Sequence, residues 1–368
     1  MRIGIPKEVK VYEGRVGIVP AGVRALSAQG HTVSIQAGAG IGSGISDAQF
    51  VAAGAQICET AKEIWTSSQM IMKVKEPVTS EHDLIQQDQL IFTYFHLAAV
   101  PELLPVLLDK NVSAVSYETI QLLNGRLPLL QPMSEVAGKM SVQIGASLFE
   151  SDRGGKGVLL GGVPGVRRGR VVILGGGTVG TAAAKIAVGL GASVTVIDLS
   201  LPRLEYLDDI FGPRVNLLHS NPDTISDEVH RADLVIGAVL VPGGRAPTLV
   251  DRELVESMEA GSVIMDVAID QGGCIETIRG TTHDDPTYVV GGVLHYGVTN
   301  MPGAVAHTST FALTNATTSY ALKLADQGAL EAARQDSALA KGFNAYGGSV
   351  CHEAVAEALG TEFKPIPV

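Results

Sequence analysis

Several side chains with complementary chemistry stand directly behind short apolar runs. Arg15 follows the opening run through PKEVKVYEG, Lys75 follows Met70–Val74, His96 follows Leu90–Phe95, and Glu118 follows Val112–Tyr117. Further on, Asp270 comes three residues after the run Val263–Val267 and leads into Gln271-Gly-Gly. A guanidinium and an ammonium can hold a small carboxylate between them. An imidazole exchanges protons near neutral pH, and a carboxylate can orient water or an amine. In open α/β sheets ligands bind beyond the carboxyl ends of the strands, so such residues at successive strand ends form the pattern of a site. Each also has a purely structural reading. Arg15 could be a solvated loop charge, Lys75 a surface lysine on an edge strand beside Lys73, and His96 a core histidine with its hydrogen bonds met. Asp270 could serve a turn, and Glu118 could simply brace the basic residues.

A second constellation is Val171-Val-Ile-Leu-Gly175-Gly-Gly177-Thr-Val-Gly180, a strand-like run, then GxGxxG, then the Ala-rich segment AAAKIAVGLG. Among 43 glycines a bare GxGxxG carries little weight, but strand, turn and helix together make the dinucleotide fingerprint. Gly175 permits the tight turn, Gly177 admits a pyrophosphate to the backbone, and Gly180 lets helix and strand pack closely. The helix N-terminus then offers free N–H groups to phosphate. The next strand, Ser193–Ile197, ends at Asp198, 23 residues after Gly175. A carboxylate there accepts from the adenosine ribose hydroxyls and repels a 2′-phosphate, which favours NAD over NADP; its structural alternative is a turn cap. Arg203 complicates this, since a cation there could receive a 2′-phosphate, and it is read as an adenosine-side contact.

Residues placed this way need alternating strands and helices. In the first 125 positions, strands are expected at Arg2–Ile5, His31–Gln36, Met70–Val74, Leu90–Phe95 and Val112–Tyr117, with a helix at Pro20–Gln29. A helix over Ser134–Glu150, with Ser134 as N-cap, precedes a Gly-rich hairpin, GGKGVLLGGVPGV. Strands are then expected at Val171–Leu174, Ser193–Ile197, Val215–Leu218, Leu234–Val239, Val263–Val267 and Tyr288–Val290. A last helix over Thr310–Asp326, with no strand behind it, is expected to pack back on the first domain. The implied fold is α/β, with two Rossmann-like doubly wound parallel-sheet domains flanking a cleft. The substrate domain is discontinuous (1–130 and 305–368), and the nucleotide domain, 131–304, is inserted into it.

Composition narrows the function classes. The net charge is -11, from 38 acidic and 27 basic residues, and no dense basic block could serve nucleic acid. The opening MRIGIPKEVK lacks a signal-peptide apolar region. The most apolar stretch is broken by Arg167, Arg168 and Arg170, so no membrane span is expected. Cys58, Cys274 and Cys351 make neither a disulfide framework nor a metal pair. A cytoplasmic, metal-free, small-molecule protein is the expectation.

These residues resemble the L-alanine dehydrogenase family along nearly the whole chain. The likeness runs through MRIGIPKE with Arg15-Val, Lys75-Glu-Pro, Tyr94-Phe-His96-Leu-Ala, and Leu130-Gln-Pro-Met-Ser134-Glu-Val-Ala-Gly138. It continues through Gly161-Gly-Val-Pro-Gly165, Asp233-Leu-Val-Ile-Gly-Ala-Val239-Leu240, Asp266-Val-Ala-Ile-Asp270, Asn300-Met-Pro-Gly and Thr308-Ser-Thr. The resemblance implies reversible NAD-dependent oxidation of L-alanine to pyruvate and ammonium in a homohexamer. It implies that Arg15 holds the substrate carboxylate, that Lys75 adds a second contact, that His96 is the general acid/base, and that Asp270 positions water and ammonia. For the cofactor it implies Ser134, Gly175, Gly177, Val179, Gly180, Asp198, Arg203, Ser220, Val239, Leu240, Val267 (through its backbone), Asp270 and Asn300. Two alternatives stay open: an NAD(H)-binding part of a proton-translocating transhydrogenase, and a non-catalytic NAD-binding protein. Activity on serine, glycine through glyoxylate, or 2-aminobutyrate also stays open, because one methylene discriminates by only about 1–3 kcal/mol.

Overall fold

A computed structural model describes residues 1–239 and 246–368, and of Asp270 and Gln271 the backbone alone. Leu240 therefore lies outside the described residues, as does the side chain of Asp270. Strands in chain order are β1 Arg2–Ile5, β2 Thr32–Gln36, β3 Gln56–Cys58, β4 Met70–Met72, β5 Leu90–Thr93, β6 Ser113–Ser116, β7 Arg170–Leu174 and β8 Ser193–Asp198. They continue with β9 Val215–His219, β10 Leu234–Gly237, β11 Val263–Asp266, β12 Thr287–Val290, β13 Val293–Tyr296, β14 Phe343–Tyr346 and β15 Ser349–Val350. The chain divides into two compact units, Met1–Met133 with Gly303–Val368, and Ser134–Pro302.

The first unit holds one sheet in the order β15-β14-β6-β5-β4-β1-β2-β3. Strands β1 to β6 are parallel to their neighbours. Strands β4 and β5 are buried at every position, as expected where helices cover both faces of a parallel sheet. Order reverses between β1 and β4, the position at which crossovers turn to opposite faces and leave a crevice at the strand ends. Ile71, Ile91, Phe95, Leu103 and Trp65 form part of the core.

The last stretch departs from the sequence expectation. The long helix begins at Ala306 and runs to Gln327, and two strands follow it. Strand β14 joins β6 antiparallel, and β15 pairs with β14 in a hairpin. The long helix also lacks a plain apolar stripe: Ser309, Thr310, Thr314 and Thr317 are all buried. Thr314 donates to the Thr310 carbonyl at 2.8 Å and Thr310 pairs with Ser43 at 2.7 Å, so these two hydroxyls sit inside at low cost because they are bonded, whereas the buried Thr317 Oγ1 has no hydrogen-bond partner among the described residues.

The second unit orders its sheet β12-β13-β11-β10-β7-β8-β9. It is parallel except for β12, which runs antiparallel to β13, so each sheet is mixed at one edge rather than wholly parallel. Strand β13 was hidden behind Gly291-Gly292. The helix expected from Ser134 starts at Gln131 and ends at Leu148, which puts Ser134 in its first turn rather than at its N-cap. The Gly-rich hairpin shows only one isolated bridge, Val163 with Val166. No helix among the described residues is long and apolar enough to cross a membrane.

Candidate functional site

Strands β4, β5 and β6 lie side by side, so Lys75, His96 and Glu118 all follow their carboxyl ends. The reading of Lys75 as an edge-strand lysine fails, because β4 is interior. Its neighbour Lys73 is no surface group either: it is 0% exposed. The Lys73 ammonium lies 3.2 Å from Glu8 Oε2 and 2.8 Å from Glu81 Oε1. Burial works against that charge, and the two carboxylates hold its pKa above the ordinary lysine value. Burial likewise pushes the Glu8 carboxyl up, against the pull of Lys73. The other oxygen of Glu8 accepts from the backbone of Val74 at 2.6 Å and of Lys75 at 3.4 Å. One buried ion cluster thus sets the backbone that carries Lys75.

Arg15 is buried, not solvated. Its guanidinium forms a fork with Glu13, with Nε donating to Oε1 at 2.7 Å and Nη2 to Oε2. Nη1 approaches the Met133 sulfur at 3.1 Å. Burial opposes the arginine charge, but the Glu13 hydrogen bond and field outweigh it, so the group stays cationic. Its loop is fastened from far along the chain. Val16 N–H donates to Thr310 Oγ1 at 3.1 Å and Ser43 Oγ donates to the Gly14 carbonyl at 2.9 Å.

His96 departs from the core-histidine reading, its side chain being 36% exposed. Its backbone lies in the left-handed region at φ 48°, which costs a non-glycine residue of order 1 kcal/mol or more and persists only when its surroundings hold it. Glu118 supplies that hold. It accepts from Phe95 N–H at 3.1 Å and from His96 N–H at 2.7 Å, bracing backbone rather than basic side chains. The ring stacks on Tyr94, centroids 5.7 Å apart, and Nδ1 lies 3.1 Å from Glu76 Oε2. Burial would raise the Glu76 pKa, but the His96 bond and the Lys75 charge bring it down to about 2. Tyr94 donates to the Leu129 carbonyl at 2.6 Å. Burial pushes its phenol up, and the charges of Arg15 and Glu118 both reach it. Arg15, Tyr94, His96, Glu76 and Lys75 therefore form one connected polar set.

In the second unit the Gly175–Gly180 turn follows β7, and the sheet order reverses between β7 and β10. Gly175 has φ 101° and lies against the backbone of Ala238 and Val239. A Cβ on Gly180 would sit 1.9 Å from the Gly175 carbonyl oxygen, whereas one on Gly177 would meet nothing within 4 Å. The turn is thus closed on its inner side and open at Gly177, as a backbone cradle for pyrophosphate requires. Gly138 abuts Val179: a Cβ there would come 2.2 Å from the Val179 carbonyl. Ser134 lies one turn earlier on the same helix face.

Asp198 accepts from Gly176 N–H at 2.6 Å and from Ser200 N–H at 2.8 Å. It does cap the turn, yet an ionised carboxylate has about four acceptor positions, so ribose hydroxyls can still be received. Ser220 N–H donates to the Asp198 carbonyl at 3.0 Å. Arg203 is strapped onto the turn, with Nη2 donating to Thr181 Oγ1 at 2.6 Å and Nε to the Gly176 carbonyl. Val267 opens a 3-10 turn through Gln271, and Asn300 has φ 57°. Among the described residues no group of three or more His, Cys, Asp or Glu could hold a metal ion, and the three thiols are free.

Sequence reasoning missed Glu8, Glu13, Glu76, Thr181 and Asp266. Asp266, buried behind the 3-10 turn, accepts from Ala268, Cys274 and Ile275 N–H groups. The available signal was adjacency: Glu13 is two residues from Arg15, and Glu76 follows Lys75.

The alanine dehydrogenase/PNT N-terminal domain model matches residues 4–137 and the C-terminal domain model residues 141–353. The alanine dehydrogenase of Methanococcus maripaludis is 57% identical over 366 residues, 99% of this chain and 98% of that protein. That of Bacillus subtilis is 55% identical over 367 residues, 99% of this chain and 96% of that one. A solved L-alanine dehydrogenase superposes with a TM-score of 0.95 at 56% identity, covering 98% of this chain and 99% of that one. A transhydrogenase from Sinorhizobium meliloti has a TM-score of 0.82 at 24% identity, over 95% of this chain and all of that one; that likeness speaks to the fold alone. Matched in both domains and along nearly all of its length, the chain belongs to the alanine dehydrogenase/PNT family.

Proposed function

We propose that this chain catalyses the reversible oxidation of L-alanine with water to pyruvate and ammonium, with NAD as its cofactor. The placing of Lys75, His96 and Glu118 at three neighbouring strand ends carries the reading, within a chain over half identical to curated alanine dehydrogenases. The 134–302 unit suits NAD: the turn is open at Gly177, shut at Gly180, and tipped by Asp198. Ser134, Gly175, Val179, Arg203, Ser220, Val239, Leu240, Val267, Asp270 and Asn300 would complete its binding. When bound, NAD supplies the two-electron acceptor that takes hydride from the substrate carbon.

The other unit, with the 303–368 tail, would bind the amino acid. Arg15 and Lys75 hold its carboxylate and, later, the pyruvate carbonyl. Oxidation starts from the neutral amine and yields an iminium carbon, which water attacks. His96 takes the proton that water loses, giving a carbinolamine, and returns it to the nitrogen. As the C–N bond breaks and the carbonyl forms, the hydroxyl proton passes through His96 to the departing ammonia, so that pyruvate and ammonium result. Asp270 positions the water and the departing ammonia. Hexameric assembly and cytoplasmic residence belong to the same proposal.

The test follows NADH absorbance at alkaline pH with a panel of small amino acids, NAD against NADP. Alanine with NAD is the expected best pair. Turnover confined to NADP would overturn the role of Asp198, and no turnover of any small amino acid would overturn the whole reading.

A further inference from the structure

The function above gives His96 a proton to carry but leaves open which ring nitrogen carries it and what fixes the ring. The geometry answers both. Nδ1 faces Glu76 Oε2 at 3.1 Å, and an ionised carboxylate can only accept, so Nδ1 must bear hydrogen. The proton-accepting lone pair then falls on Nε2. Glu76 is 3% exposed while the imidazole is 36% exposed, so the carboxylate lies behind the ring and the ring lies toward solvent. Its second oxygen is engaged by Lys10, a residue of the loop between Ile5 and Arg15. Glu76 thus has one oxygen for the base and one for the loop.

We infer that Glu76 is a positioning residue for the proton-transfer step, holding His96 in the Nδ1–H tautomer and stabilising the ring when Nε2 is protonated, with Lys10 anchoring the carboxylate. This rests on the alanine-oxidising reading. Among the described residues, the charged and titratable groups around the pair are Lys10 and Lys75 beside Glu76, Glu118 at the His96 backbone, and Tyr94 stacked on the ring. Both lysines favour the ionised form of Glu76, which keeps it an acceptor across the working range. An orienting acid on the far nitrogen of a catalytic imidazole is a recurrent solution to the same problem.

The experiment uses the full-length protein and its Glu76→Gln, Glu76→Asp and Lys10→Met variants. It measures kcat, the KM for alanine, the dissociation constant for NADH by fluorescence, and the pH profile of kcat. Glu76→Gln is expected to lower kcat by roughly 10–10², less than the ~10²–10⁴ that loss of a general base costs. KM and NADH binding should stay within about threefold, since neither ligand is held by Glu76. The acid limb of kcat should move to lower pH, because a neutral amide no longer stabilises the protonated ring. Glu76→Asp keeps the charge and should recover both rate and profile in large part. Lys10→Met should move the limb the opposite way by a smaller amount. Glu76→Gln with parental kcat and profile overturns the inference. So does a variant in which kcat, KM and NADH binding fall together with no shift in the limb, since that is a packing defect. A parent that forms no NADH from alanine overturns the functional reading and this inference together, whereas an active parent with a silent Glu76→Gln overturns this inference alone.

Discussion

The two candidate sites, one in each unit, are built from opposite materials. Around Arg15, Lys75 and His96 the first unit uses charge: Glu8, Glu13, Glu76 and Glu81 are each under 10% exposed, and each is bonded to a cation or an imidazole. Around Gly175–Gly180 the second unit uses mostly backbone, with a turn closed on its inner side, a helix start, and Asp198 and Arg203 bonded to that backbone. The difference follows the tasks. Recognising a carboxylate and moving protons needs side chains fixed in one rotamer and one charge state, and buried partners fix both. Holding a diphosphate needs only N–H groups and space, which glycine provides without ionisable groups.

The contrast can be broken or sharpened by substitution. The largest effect is expected from His96→Ala, which should lower kcat by about 10²–10⁴ while NADH affinity stays within twofold. Near-parental turnover in steady-state assays would falsify the assignment of the base. Glu13→Leu comes next, because it removes the carboxylate that forks with the buried Arg15 guanidinium. Removal of one partner of a buried ion pair costs about 3–5 kcal/mol, read as a lower urea midpoint, and an unchanged midpoint would mean the fork adds nothing. For Gly180→Ala the damage should fall on the second unit's turn. A Cβ 1.9 Å from the Gly175 carbonyl forces a backbone shift costing about 1–3 kcal/mol, with weakened NADH binding in fluorescence titration; full NADH affinity would show that the turn tolerates opening.

The smallest effect is one of pH. The Glu76 pKa is lowered from 4.5 to about 2, so its ionised form stabilises the fold above pH 4.5 and that contribution is lost as pH falls toward 2. By pH 4 the loss is about 1 kcal/mol. The stability gap between parent and Glu76→Gln in urea unfolding should therefore narrow from pH 6.5 to pH 4. A constant gap would place the group outside the ion cluster.

Much of the scaffold was legible in residue patterns, for a physical reason. Parallel strands buried on both faces leave continuous apolar runs such as Leu90-Ile-Phe-Thr, and turns at their ends take polar residues, so Lys75, His96 and Glu118 stood out. Strands of mixed character did not. Phe343-Asn-Ala-Tyr346 carries a buried Asn344 and only pairs because β6 needs a neighbour, which is a tertiary fact. Start points also drifted: the helix at Gln131 has no side-chain cap signal at its true start, and Ser134 offered a false one. The braces were illegible for a further reason. In sequence a buried glutamate and a solvated one look alike, so nothing marked Glu8 and Glu81 as the partners of Lys73, although together the three set the backbone of Lys75.

The pairing of β14 with β6 has a consequence for the order in which the molecule can be made. From 117 to 342, 226 residues separate the two strands, and all of the Ser134–Pro302 unit is written between them. On a ribosome adding roughly 5–20 residues per second, the host waits on the order of ten seconds or more between β6 and its closing strand, and the inserted unit is made within that interval. Until then β6 presents an open edge of unpaired N–H and C=O groups, the form of surface most prone to wrong pairing. Vectorial synthesis thus exposes the half of the molecule with the most buried charge for the longest time.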